Sequence, residues 1–374
     1  MRAAFRRGAD TSGGGMLSAS RHRSALLIAL AGVLLLRFAA QQHRPLLARR
    51  ARDRLSAAAH PLENAPPLVA FTTVALGGFR GLLVDVLWLR ASHLQDAGKY
   101  FELVQLSDLI TKLEPRNTEV WVYHAWNMAY NVSVMLPSYE DRWRWVLSGI
   151  RLLRDEGVRY NPGAPRLYCE LGWLFQYKIG GDHDMAHRVY KQRWAETMSA
   201  FQPGPRMAYG ALQPAARRRL KTELGLDADT MRAIDARYGP LDWRCPEAHA
   251  VYWAVAALEV ARDGLYLPAD RMLFQSLGTL FSRGNTAYWM AGDKTPPAPD
   301  PALFDRVVDA YRSALARYDD ETIDYAYVNF LHDATIVLAR ANDNAMARRA
   351  YEQFAAAVPD NAAVPSFEAL TRTP

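Results

Sequence analysis

Cysteine is nearly missing from this sequence: Cys169 and Cys245 are the two among 374 residues, with no C-x-x-C pair and no metal-type spacing. That scarcity excludes a small disulfide-knit domain and a cysteine-built zinc module. The two thiols read as separate side chains in preference to a single bridge, which stays the alternative. Period-two alternation bounded by turn residues is scarce too, so there is little from which to build a sheet. Acidic residues are rare at the N-terminus. Eleven arginines face only Asp10 and Asp53 in residues 1–60, a net of +9; the whole chain carries +6, which leaves −3 for residues 61–374. The body therefore has no general nucleic-acid footprint, and arginines flanking an apolar stretch suit lipid headgroups better than phosphodiesters. Catalytic fingerprints are also lacking: no G-x-S-x-G, no P-loop and no dinucleotide-binding glycine pattern occurs.

What the chain does have is apolar material, 50% of its residues, recurring at i, i+3, i+4, i+7. The expectation is all-α, with length for one large domain or two ordinary ones. Residues 1–23, arginine-rich and then Thr11-Ser12-Gly13-Gly14-Gly15, read as a disordered basic arm. Residues 24–40, SALLIALAGVLLLRFAA, hold one charge in a stretch at the short limit for a spanning helix. They are read as a transmembrane anchor, with Leu26, Leu30 and Leu34 on its apolar body and Arg37 snorkelling to the headgroups. A cleaved signal peptide is the rival, disfavoured because Phe38-Ala39-Ala40 puts a bulky ring at the −3 position; a buried core helix is the third reading. Residues 41–65 continue as a basic juxtamembrane helix and linker, broken at Pro61. Arginines on both flanks leave the positive-inside comparison nearly level; a short basic arm before the first apolar helix favours a single-pass protein with an extracytoplasmic body. The run Leu68–Phe79 is too short to span and reads as a buried capping helix, or else as a membrane-surface segment.

A repeated unit starts at Val84. It has two helices joined at Ala97-Gly98 and closes with Leu113-Glu114-Pro115-Arg116-Asn117. Ala91 sits at a small-residue position of the first helix, while Leu103 and Ile110 occupy two such positions of the second. A second unit, Trp121–Pro162, carries an insertion around Met135-Leu136-Pro137-Ser138-Tyr139. In a third, Tyr168, Leu171, Gly172 and Phe175 form the best first helix in the chain, and its partner helix holds Ala186 and Tyr190. The register is lost over 198–244, read as an irregular insertion with a helix or two of its own, serving as binding loop or hinge. Helices restart at Pro246, and Leu331, Leu338, Ala347 and Tyr351 fall in register in a last unit closed by Pro359-Asp360-Asn361.

These units resemble divergent tetratricopeptide repeats, of the kind found in bacterial membrane-anchored proteins. The resemblance is good over residues 84–197, fair over 325–361, and one of style over 246–290. It implies an α-solenoid of helix pairs at 66–197 and 245–361, with a tail at 362–374 and a concave groove holding a protein or peptide partner. Stacked pairs bury one face on their neighbours and leave a curved face free. The residues that face such a groove are Glu119, Trp126, Asn127, Arg166, Trp173 and Gln176, with Val122 and Cys169 beside them; the two tryptophans are its centre.

His183-Asp184-Met185-Ala186-His187 places two histidines one helical turn apart. Without the H-E-x-x-H glutamate or a third ligand at fixed spacing, this reads as a polar helix start with carboxylates favouring its N-terminus, so no metal is expected. No cofactor and no catalytic residue is expected either. In Arg142-Trp143-Arg144-Trp145 one tryptophan should pack while the other meets a headgroup, a glycan or a partner. Three function classes follow. The first is a non-catalytic anchored scaffold; the second is an accessory subunit of a membrane complex with residues 66–90 against the bilayer, which a lipid-exposed apolar patch would mark. The third, drawn from ten tryptophans and from Glu170, Asp182 and Glu196, is an all-α carbohydrate-active enzyme, which would need paired carboxylates across a cleft.

Overall fold

Several helices of this chain begin where the sequence supplies an acceptor for the first free amides. Asn117 accepts from the Glu119 amide, Ser138 from Asp141, Asp227 from Asp229 and Thr230, and Asp320 from Thr322. Pro165 and Pro246 stand in first turns, where a missing amide costs nothing. The computed structural model describes residues 79–284, 298–358 and 364–372, all within one unit, Pro66–Pro374, which is separate from Met1–Ala65. The expected arm at 1–23, the anchor at 24–40 with Leu26, Leu30, Leu34 and Arg37, the segment 41–65 and the closing Pro359-Asp360-Asn361 lie outside the described residues. Among the described residues every regular element is helical, and no helix is long and apolar enough to cross a membrane.

Helices α1 (Phe79–Asp96) and α2 (Tyr100–Leu113) pack together across Gly98, whose φ of +68° is open to glycine at no steric cost. Leu103 and Ile110, large where a tetratricopeptide unit has small residues, are fully buried. With Val84, Ala91, Leu94, Leu113 and Val120 they form a cluster of their own. α3 starts as Thr118–Trp126 and runs on through a π-turn, Asn127–Val132, into Ser133–Met135. α4 follows the same plan, with Tyr139–Arg151, a π-turn at Leu152–Gly157, then Val158–Tyr160. The additional length expected as an insertion around Met135–Tyr139 is thus helical, with Leu136-Pro137-Ser138 as the whole turn between α3 and α4. The π-turns, winding at i→i+5, take up residues that the α-period has no room for.

α5 is Pro165–Trp173 continuing through a π-turn at Leu174–Ile179, and α6 is His187–Ser199. Here the chain departs from an even stack of sequential pairs. α5 lies principally along α9 (Pro246–Val260), while α6 meets α4 and only the π-turn of α5. The approach is close: a Cβ at Gly172 would stand 2.2 Å from Met272 Sδ on α10 (Leu267–Arg283) and 3.3 Å from the Ala250 carbonyl of α9. Between α3 and α4, a Cβ at Gly149 would stand 2.9 Å from the Ala125 carbonyl.

The stretch 198–244 holds a short turn, Tyr209–Ala211, then α7 (Pro214–Arg219, continuing through Leu220–Leu224) and α8 (Ala228–Tyr238). Several of its side chains are anchored in the interior. Leu220, Met231, Leu241 and Trp243 belong to the main core, and the Trp243 indole donates to the Tyr209 hydroxyl at 2.8 Å. Gln202 donates to Asp242 Oδ1 at 2.9 Å and accepts from the Trp243 amide at 3.0 Å, so the end of the excursion is pinned to its beginning. The chain closes with α11 (Phe304–Leu315), α12 (Glu321–Arg340), α13 (Asn344–Ala357) and the short α14 (Phe367–Thr371). α12 and α13 pack along each other with Leu331, Leu338 and Ala347 fully buried.

Two histidines are sealed in this interior. His124 has no partner for either ring nitrogen, and His249 has Nε2 2.7 Å from the Trp243 carbonyl with Nδ1 unpartnered. Desolvation by burial lowers both, each to about 4.

Two predictions arise from this packing. Gly149→Ala should lower stability by ~1 kcal/mol despite the ~1 kcal/mol that alanine gains in a helix, because the obstacle is a backbone carbonyl. Gly172→Leu should lower it by ~3 kcal/mol or more, and unchanged urea midpoints would refute the close crossings. The histidines set a pH dependence. Their folded values lie below the free value, so the unfolded chain takes the proton first and stability falls as pH drops from 6.5 towards 4. His249→Gln should flatten that slope by up to ~1.4 kcal/mol per pH unit in denaturant titrations across this window. An unaltered slope would show that His249 is not held neutral by burial.

Candidate functional site

α3 and α5 carry the same spacing, W-x-x-x-Y, at Trp126/Tyr130 and Trp173/Tyr177. In each helix the tryptophan ends the α-helical part and the tyrosine lies inside the π-turn. Trp126 and Tyr130 stack at 4.5 Å between centroids, and Trp173 and Tyr177 sit at 4.0 Å. The two tryptophans stack on each other between the helices at 6.4 Å and 27°. These four rings wall a cleft of about 460 Å³, completed by Val134, Met185, His183 and a charged base of Arg142, Lys178 and Asp184.

That base is mostly buried and tightly bonded. Lys178 Nζ lies 2.6 Å from Asp184 Oδ2, which also accepts from the Tyr190 hydroxyl at 3.1 Å. Asp184 Oδ1 accepts from the Ala186 amide at 2.9 Å and is 3.5 Å from Arg142 Nη1, while Arg142 Nε donates to the Leu136 carbonyl at 2.7 Å. The side chains of Lys178, Asp184 and Arg142 are 3%, 8% and 10% exposed, so these contacts act in a low-dielectric setting. The Lys178 ammonium also lies over the rings of Tyr130, at 4.9 Å, and Tyr190. Burial by itself would raise the Asp184 carboxyl, but the bonds from Lys178, the Ala186 amide and Tyr190 outweigh it and hold the group below its ordinary range. Burial lowers the Lys178 ammonium, with Asp184 offsetting part of the effect.

On the other side of Trp126 a second polar string runs along the helix faces. The Trp126 indole donates to Glu170 Oε2 at 2.9 Å, Arg166 Nε pairs with Glu170 Oε1 at 3.2 Å, and Arg166 Nη2 reaches Glu119 Oε2 at 3.6 Å. Burial raises the Glu170 carboxyl, with Trp126 and Arg166 restraining the rise. Of the residues expected in a groove, the structure therefore brings Glu119, Trp126, Arg166 and Trp173 into one string. Gln176 lines an adjoining cleft of about 350 Å³ together with Cys169, Trp173, Tyr177, Arg271 and Gln275. Asn127 requires correction: it is 1% exposed and turned inwards, its Oδ1 accepting from Asn131 Nδ2 at 2.6 Å. It is the first residue of the π-turn, where the winding leaves the 3.6-residue period on which a groove position rests.

Sequence reasoning missed Tyr130, Tyr177, Arg142, Lys178 and Asp184. The repeated W-x-x-x-Y was a usable signal for the tyrosines. Nothing signalled the ionic base, because its members come from α4, α5 and the loop before α6. The carboxylates considered for carbohydrate chemistry have structural partners. Glu170 is bonded as above, Asp182 pairs with Lys191, His187 and Arg283, and Glu196 with Gln192 and Arg193. Among the described residues no three His, Cys, Asp or Glu side chains converge as a metal site. Trp143 stacks on Tyr190 in the core, whereas Trp145 is partly exposed and meets Phe101 edge-on. Cys169 and Cys245 are separate buried thiols, and burial pushes Cys169 up to about 12. No protein-family model matches this chain, and a search of curated proteins finds no match to its sequence.

Asp184 is the keystone of the base, so Asp184→Asn should cost ~3–5 kcal/mol, since it leaves Arg142 and Lys178 buried without a counter-charge. Adding Lys178→Met should recover part of that loss in a double-mutant cycle read by urea unfolding. Strict additivity would show the two groups to be uncoupled.

Proposed function

We propose that this protein is a non-catalytic helical-repeat scaffold that holds a segment of a partner protein against the aromatic cleft. Its N-terminal apolar segment, 24–40, ties it to a membrane with the body on the extracytoplasmic side. The observation that carries this reading is the set of stacked rings, Trp126, Tyr130, Trp173 and Tyr177, fixed on two helices around an open cleft. Trp173 is 36% exposed and Met185 73%, so apolar surface stands in water there without a covering side chain. Rigid aromatic faces of this kind bury large area at low entropic cost and are the usual anchors of protein recognition. Both oxygens of Asp184 are already engaged, so this carboxylate is committed to the ionic contacts of the base.

A second reading, an accessory subunit of a membrane complex, has its own observation. Leu82, Val86 and Leu89 lie on one face of α1 at helical spacing and are 62%, 60% and 71% exposed. Such an outward apolar stripe fits lipid or a neighbouring subunit.

Co-purification of the full chain from mild detergent, with attached proteins identified and quantified, separates the two. In the scaffold reading Trp173→Ala removes a stoichiometric partner, weakening it at least ~10-fold, and Leu82→Ser with Leu89→Ser leaves it bound. In the subunit reading the pattern is reversed. A wild-type preparation with nothing attached would count against both and move weight to the carbohydrate enzyme.

A further inference from the structure

The base of the cleft carries more positive charge than its own residues neutralise. Arg142 and Lys178 contribute two cations and Asp184 one anion. Asp184 is saturated, with Lys178 and Tyr190 on one oxygen and the Ala186 amide on the other. Arg142 is not saturated. It is 8% exposed, its Nε is given to the Leu136 carbonyl, and its Nη1 makes only a 3.5 Å contact with Asp184. Its Nη2 donates to no acceptor among the described residues, although the guanidinium is part of the cleft lining. A mostly buried guanidinium lining an open cleft has room for a further acceptor, and an incoming carboxylate there would form a charge-assisted hydrogen bond.

The walls narrow the choice of occupant. A cationic group has no place here, because Lys178 already covers the face of Tyr130 at 4.9 Å and a second cation would meet like charge. The occupant is anionic at the base and apolar against the rings. It also extends beyond the cleft, since Trp173 and Tyr177 wall the adjoining cleft as well, the one that holds Gln176 and Arg271. A ligand ending at Arg142 would leave that continuous surface uncovered.

We infer that the cleft reads an acidic side chain, flanked by apolar residues, in a peptide segment that crosses both clefts, with Arg142 Nη2 donating to its carboxylate. This rests on the peptide-binding reading above and adds the charge and character of the segment.

The test uses the full chain and two labelled peptides, fluorescein-Gly-Ser-Leu-Phe-Glu-Phe-Leu-Ser-Gly-amide and the same peptide with Gln in place of Glu, followed by fluorescence anisotropy. A buried charge-assisted pair implies that the Glu peptide binds ~10- to 100-fold more tightly. Arg142→Gln should bring the two affinities together, and Trp173→Ala should weaken both. The wild-type comparison stands by itself should Arg142→Gln fail to fold. Equal affinity of the two peptides for the wild-type chain overturns the carboxylate inference and leaves peptide binding intact. Binding of neither peptide at ~1 mM overturns both.

Discussion

The loop between α5 and α6 is the constraint on which the middle of this molecule depends. Within it, Asp182 and Asp184 point to different sides, and each gathers cations from other helices. Asp182 pairs with Lys191 of α6 and Arg283 of α10, and Arg283 goes on to the Gly180 carbonyl and to Glu247 of α9 at 3.1 Å. Asp184 holds Lys178 of α5, Tyr190 of α6 and Arg142 of α4. A few residues of irregular chain are thereby bonded to four helices, α4, α5, α6 and α10. Buried ionic networks of this sort add little net stability, since desolvation offsets most of the attraction. What they supply is discrimination, because any other docking of these helices would strand several charges out of water.

Stability comes from the apolar interior, and the network decides how that interior is arranged. Gly172 lets α5 settle against α9 and α10, and burial of Phe175, Trp194 and His249 follows from the same contact. With one side of α5 committed to α9, Trp173 and Tyr177 are turned towards α3, where Trp126 and Tyr130 present the matching pair. The π-turns sit at the place where the rings emerge. Such local departures from α-winding recur at functional sites because they move side chains off the regular stripe. The cleft is therefore a product of how the chain packs rather than of the repeat as such.

The cleft joins two kinds of surface seldom found side by side without a ligand to match. Aromatic faces favour contact with an apolar body, while Arg142 and Lys178 at the base share the single carboxylate of Asp184. Low exposure of the charged groups strengthens each interaction that a bound segment makes with them. The outward stripe on α1, in contrast, is built on the apolar side chains of Leu82, Val86 and Leu89.

Much of the helical plan was legible from local chemistry. Apolar spacing, the caps at Asn117 and Ser138, the prolines at 165 and 246 and the turn at Gly98 act within a few residues of themselves, and each falls at a helix boundary. Trp126 and Trp173, singled out from their places in the repeat register, stack on each other at the wall of one cleft. Asn127 was misplaced because a π-turn, invisible in the periodicity, changes the phase of α3 at that residue. The helices within 198–244 were legible as such, but its long-range anchors, Gln202 to Asp242 and Trp243 to Tyr209, were not. By itself, then, the sequence determined that the body is helical, where many of its helices start and stop, and which aromatic residues lead. Tertiary structure alone decided that α5 pairs with α9 and that Arg142, Lys178 and Asp184 share one mostly buried base. Partner choice and buried charge pairing depend on desolvation between residues far apart in the chain, and no local pattern encodes that.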